Sequence, residues 1–113
     1  MPGSPAEPDD PLSFIQDCVR HRQVLWTYHV SMRLVSRNIT RDAILAAVAS
    51  YEVIERYPDD KYLPSYLVLA RGKSDTFHIL FATDASAPNV RVVTAYRPNP
   101  AEWEPTLKRR ITP

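Results

Sequence analysis

The sequence predicts an α+β domain: two to three amino-terminal helices packed on one face of a four-stranded antiparallel meander, with a short carboxyl-terminal helix. Three observations predict it. Apolar residues recur at helical spacing between Leu12 and Val48. Four runs rich in β-branched and aromatic residues follow: Val53–Tyr57, Tyr66–Ala70, Phe77–Ala82 and Val90–Tyr96. The connectors between them are short and carry turn residues (Pro58-Asp-Asp, Arg71-Gly-Lys-Ser-Asp, Asp84-Ala-Ser-Ala-Pro-Asn), which favours hairpins over crossovers.

Residues 1–10 carry three prolines and little to bury, so they read as a disordered lead to a single domain over 11–110. Asp10-Pro11 reads as a helix cap followed by proline at the first helical position, and Leu12, Ile15 and Val19 carry that helix to about His21. Val24-Leu-Trp26 is a short extended connection. Thr27 caps a second helix from about Tyr28 to Ser36, closed by Asn38, a residue that tolerates the left-handed region. Thr40 caps a third, Arg41 to Ser50. In the strand Phe77-His-Ile-Leu-Phe-Ala82, residues 77, 79 and 81 face the helices. His78, Leu80 and Ala82 face the other way, where the less covered side of the sheet would let a ligand reach the imidazole. Ala101 to Arg110 has Trp103 and Leu107 one helical turn apart and predicts the terminal helix, with Pro105 limiting its regularity.

At 113 residues and 44% hydrophobic content the chain supports one core without staples. Cys18 is the lone cysteine, which excludes an internal disulfide and reads as a packed thiol in a reducing compartment. No apolar run approaches membrane-spanning length and no secretory leader is visible, so a cytoplasmic protein with no membrane partner is expected. The formal net charge of +1 is uninformative, but its distribution is not. From Arg20 to Arg41 there are five arginines and no acid, followed by Glu52, Glu55, Asp59 and Asp60. Such asymmetry steers polyanions to one face.

Chemistry-bearing residues fall in two groups. His29, Arg33 and Arg37 are four apart and share one side of the second helix. His78 lies inside a strand, with Thr94, Tyr96 and Arg97 near the end of the last one. An even-sum hairpin register sets His78 beside Thr94 and Tyr96, an odd one beside Arg91, Ala95 and Arg97; the strand sequences permit both. Neither histidine has cysteine or carboxylate neighbours at ligand spacing, and the two glycines make no phosphate loop, so no metal and no cofactor are expected. Cys18 and His21 sit three apart without an orienting third group.

From about Leu25 to Arg110 the sequence resembles the domain-of-unknown-function 4258 family. The matching pieces are Thr27-Tyr-His29, Arg33, Arg37-Asn-Ile39, Glu55-Arg-Tyr-Pro-Asp59, Pro64-Ser65, Phe77-His78, Val93-Thr-Ala-Tyr96, Pro98-Asn-Pro100 and Trp103, in family order. Val30 departs from it, where the family prefers alanine. That family is similar in layout to the RelE-like toxin ribonucleases, and the resemblance implies His29, Arg33, Arg37, His78, Thr94 and Tyr96 as site residues.

Together these readings give the expectation of a small metal-independent endoribonuclease, with a cognate antitoxin as partner. One histidine would take the proton from a ribose 2′-hydroxyl and the other protonate the leaving oxygen. Arg33 and Arg37 would hold the phosphate, with Thr94 and Tyr96 completing the substrate contacts. The alternative is a non-catalytic RNA- or protein-binding module on the same scaffold.

Overall fold

The computed structural model describes residues 6–111. Each helix begins where its cap is written. The Asp10 carboxylate accepts from the Ser13 N–H at 3.2 Å and starts α1 (Pro11–Arg20) with proline in its first turn. Thr27 accepts from the Val30 N–H at 3.1 Å and starts α2 (Tyr28–Ser36). Thr40 accepts from the Ala43 N–H at 3.0 Å and starts α3 (Arg41–Ala46). Asn38 takes φ 56° beyond α2, and the Ile39 N–H returns to the Leu34 carbonyl at 2.9 Å, satisfying the helix end. Helix α3 is shorter than its sequence predicts. The Ala47 carbonyl is taken by both the Ser50 N–H and the Ser50 hydroxyl, at 2.8 and 2.6 Å, and Val48–Ser50 tightens into a 3-10 turn.

The sheet has five strands rather than four and is mixed rather than wholly antiparallel. Val24–Trp26, expected as a connection, is strand β1. The meander follows as β2 (Glu52–Tyr57), β3 (Ser65–Arg71), β4 (Thr76–Asp84) and β5 (Asn89–Tyr96), in spatial order β1-β5-β4-β3-β2. β1 adds in parallel to β5 over Val24↔Val90 to Trp26↔Val92. It covers only the first part of β5. The β4–β5 register is even at its open end (His78↔Tyr96, Leu80↔Thr94) and shifts at a bulge to Phe81↔Val92.

One face carries the main core. Ile15, Cys18 and Val19 of α1, Val30 and Leu34 of α2 and Ile44 of α3 pack with Tyr66, Val68, Ala70, Phe77, Ile79 and Phe81. Cys18 is buried there as a packed thiol, and burial raises its pKa. Val30 is 4% exposed, so the bulkier residue at that position is absorbed by the core.

The opposite face is not open at His78. The expected terminal helix is absent. Residues 98–111 instead run as turns closed by a bridge between Trp103 and Arg110, with Leu107 at φ 63°. Pro105 removes a backbone donor where a helix needs one. This segment lays Trp103 over the sheet, and Trp103 and His78 are 2% and 0% exposed. Of the expected lead, residues 1–5 lie outside the described residues. Pro8 is buried, and Glu7 accepts from the Tyr66 hydroxyl at 3.1 Å.

Candidate nucleic-acid interface

The strand period points His78 away from the helix layer, into a small second core with Leu67 and Leu69 beneath Trp103. Its Nε2–H donates to the Leu107 carbonyl at 2.6 Å, and its Nδ1 accepts from the Tyr96 hydroxyl at 3.4 Å. Because a carbonyl only accepts, these partners fix the neutral tautomer with its proton on Nε2. The Trp103 and Tyr96 rings stand edge-on to the imidazole, at centroid distances of 4.2 and 5.4 Å. Burial lowers the His78 pKa, opposed by the Leu107 hydrogen bond and the Glu55 charge. An imidazole so enclosed has no free nitrogen to offer a substrate.

Around it lies a ring of groups from β2 and the 98–111 segment. Arg110 donates Nε and Nη2 to the two Glu55 oxygens at 2.8 and 3.1 Å, and its guanidinium stacks 4.6 Å from the Trp103 ring centroid. The Tyr57 hydroxyl also donates to Glu55. Burial pushes the Glu55 carboxyl up, but the hydrogen bonds from Arg110 and Tyr57 outweigh it and the pKa is lowered. Lys108 pairs with Glu52 at 2.8 Å. Sequence reasoning places none of Glu55, Tyr57, Trp103 and Arg110 at a functional site. The signal that finds two of them is alternation: Glu55 and Tyr57 are two apart on β2 and so share a face.

The second group sits on α2. His29 and Arg33 are exposed on the helix flank. Arg37, half-buried, reaches β5 beyond the end of β1, where Nη1 donates to the Ala95 carbonyl at 2.7 Å and to Thr94 Oγ1 at 3.4 Å. Arg97 donates to the Arg37 and Asn38 carbonyls at 2.6 and 3.0 Å while gripping Asp75 through two bonds of 3.0 Å. Arg37 and Arg97 thus tie α2 to the sheet.

Four of the six sequence candidates therefore meet in two neighbouring pairs, Arg37–Thr94 and His78–Tyr96, linked along β5. Arg33 stands clear of both. His29 belongs to the helix layer, whereas His78 points into the opposite face of the sheet, so the structure does not bring the two histidines together. The odd register expected as one alternative, with His78 beside Arg91 and Arg97, is replaced by the even one. The Cys18–His21 pair dissolves too, since His21 Nδ1–H donates to the Asp17 carbonyl at 2.7 Å. Among the described residues no three His, Cys, Asp or Glu side chains converge as a metal site, and no helix is long and apolar enough to cross a membrane.

The basic stretch has one further property. None of Arg20, Arg22, Arg33, Arg37 and Arg41 pairs with a carboxylate among the described residues, as is also true of Arg56, Lys61, Arg71, Lys73 and Arg109, whereas Arg91, Arg97, Lys108 and Arg110 do. Three helices over one face of a mixed five-stranded sheet make this a small α+β domain. The chain belongs to the family described as Domain of unknown function (DUF4258), whose model matches residues 26–97. No curated protein and no solved structure matches it.

Proposed function

We propose that this domain binds RNA through the α2 face, without acid–base catalysis by the histidine pair. The observation that supports it is the run from Arg20 to Arg41, five arginines with no acid between them, none of which pairs with a carboxylate among the described residues. Arg33 and His29 contact phosphates, and Tyr28, 75% exposed and edge-on to His29, offers a ring on which a base stacks. Arg37 holds the helix in place from below. A likeness to the RelE-like toxins, with a cognate antitoxin, belongs to the same proposal and rests on the layout of helices over one sheet face. A cutting site of that kind on the far face would lie under residues 98–111.

The test is fluorescence anisotropy of a single-stranded RNA of about 20 nucleotides with purified protein in EDTA, scored in parallel for cleavage. His29→Ala/Arg33→Glu is expected to weaken binding at least ~10-fold and to flatten the salt dependence by roughly 0.7 per lost phosphate contact. Lys61→Glu, on the β2–β3 loop, leaves it within about twofold. Binding unchanged by the α2 variant, or no binding by any form, overturns the proposal. RNA cleavage that is lost in His29→Ala or in His78→Gln restores the ribonuclease reading.

A further inference from the structure

Helix α2 is apolar on two sides. Its inner side is spent on the core through Val30 and Leu34, 4% and 3% exposed. Its outer side carries Tyr28, Met32 and Val35, at positions i, i+4 and i+7, and these are 75%, 51% and 76% exposed. An outward helix face ordinarily carries charge, and a contiguous apolar stripe in its place marks a surface that is covered in use. At the carboxyl end of the stripe a groove of about 390 Å³ opens between α2 and α3, with Leu34, Val35 and Ile39 in its lining and Arg41 at its edge. Arg41 is fixed there by a 2.6 Å bond from Nη2 to Ser31 Oγ and by stacking 5.1 Å from the Trp26 ring centroid.

We propose that this face docks an acidic amphipathic helix of a partner protein. Apolar residues one turn apart on that helix pack along Tyr28, Met32 and Val35, and one of them enters the groove. Its carboxylates meet Arg33 and His29 on one flank of the stripe and Arg41 on the other. Charge decides the occupant. No carboxylate lies between Arg20 and Arg41, so a second copy would set like charges against each other across a two-fold axis. RNA leaves Met32 and Val35 without a use, because bases stack on aromatic rings. The inference goes beyond RNA binding and stands without it. Where both hold, the partner covers Arg33 and competes with RNA.

The experiment places a photo-crosslinking phenylalanine analogue at position 35, in the full chain, in cells that make it naturally, and identifies the crosslinked segment by mass spectrometry. The expected result is a protein adduct whose segment is net acidic with apolar residues at helical spacing. Arg33→Glu lowers its yield at least ~5-fold, Lys61→Glu does not, and a synthetic peptide of that segment binds the purified protein more weakly as salt rises. A dimer of this chain, an adduct to RNA with no protein adduct beside it, a neutral or basic segment, or no adduct specific to position 35 overturns the proposal. Position 35 is three-quarters exposed, so the substitution leaves the fold intact.

Discussion

Burial, a carbonyl acceptor on Nε2 and a hydroxyl donor on Nδ1 leave His78 with nothing to gain from a second proton. The consequence is a pH dependence whose sign is fixed. Burial lowers the folded-state pKa below the usual 6.5, so the unfolded chain binds the proton first as pH falls. The stability tied to His78 is complete above about pH 7 and declines as pH drops through about 6.5, levelling only below the folded-state value. Urea midpoints between pH 5 and 8 measure this, and His78→Gln, which keeps a donor for Leu107, removes that part of the slope. An identical slope in the variant would assign the effect to another group. His78→Ala has a larger cost, about 2–4 kcal/mol, because it opens a cavity under Trp103 and strands the Leu107 carbonyl. Arg37 belongs to the same kind of residue. It holds the Ala95 carbonyl, so its removal confounds binding with stability, and Arg33 is the better probe of the α2 face.

The elements divide by how local their causes are. The three helix caps, the left-handed Asn38 and the four meander strands are legible in the sequence, because each depends on neighbours a few residues away. Thr27→Ala and Thr40→Ala should each cost about 1 kcal/mol in urea unfolding, the ordinary value of a cap. Strand β1 is not legible in this way. Three residues are too few to show an alternation, and its partners Val90–Val92 lie more than sixty residues on. The 98–111 segment misleads for the opposite reason. Trp103 and Leu107 have helical spacing, yet their positions answer to His78: Trp103 packs edge-on against the ring and the Leu107 carbonyl accepts a hydrogen bond from its Nε2–H. Trp103→Ala should therefore cost about 3–5 kcal/mol, as for other buried large aromatics. Arg110→Ala should cost less, about 1 kcal/mol, because Arg110 is half exposed although its Glu55 contact is bidentate. If thermal melting ranks Arg110→Ala as the more damaging of the two, the ion pair rather than the indole fastens this segment.

At the scale of the whole molecule the two candidate groups separate along the same line. The His29, Arg33 and Arg37 series is a property of one helix and its spacing reveals it, while the closure of His78 depends on a segment about twenty-five residues downstream and no local pattern reveals that. The same logic bears on where the folding unit ends. The family match spans residues 26–97, but the two cores do not respect those limits. The helix-side core takes Ile15, Cys18 and Val19 from α1, and Val24 of β1 packs against it. The far core takes Trp103. Fully burying a large apolar side chain contributes about 1.5–3 kcal/mol, so losing four or five of them removes an amount comparable to the whole stability of a small domain, about 5–15 kcal/mol. A chain cut to residues 26–97 is thus expected to lose cooperative urea unfolding and to bind a hydrophobic dye, whereas one spanning 6–111 unfolds in a single transition. A sharp, two-state transition in the short form would mean that α1 and the Trp103 segment are additions to a self-sufficient sheet, and that His78 can stand uncovered in a folded domain.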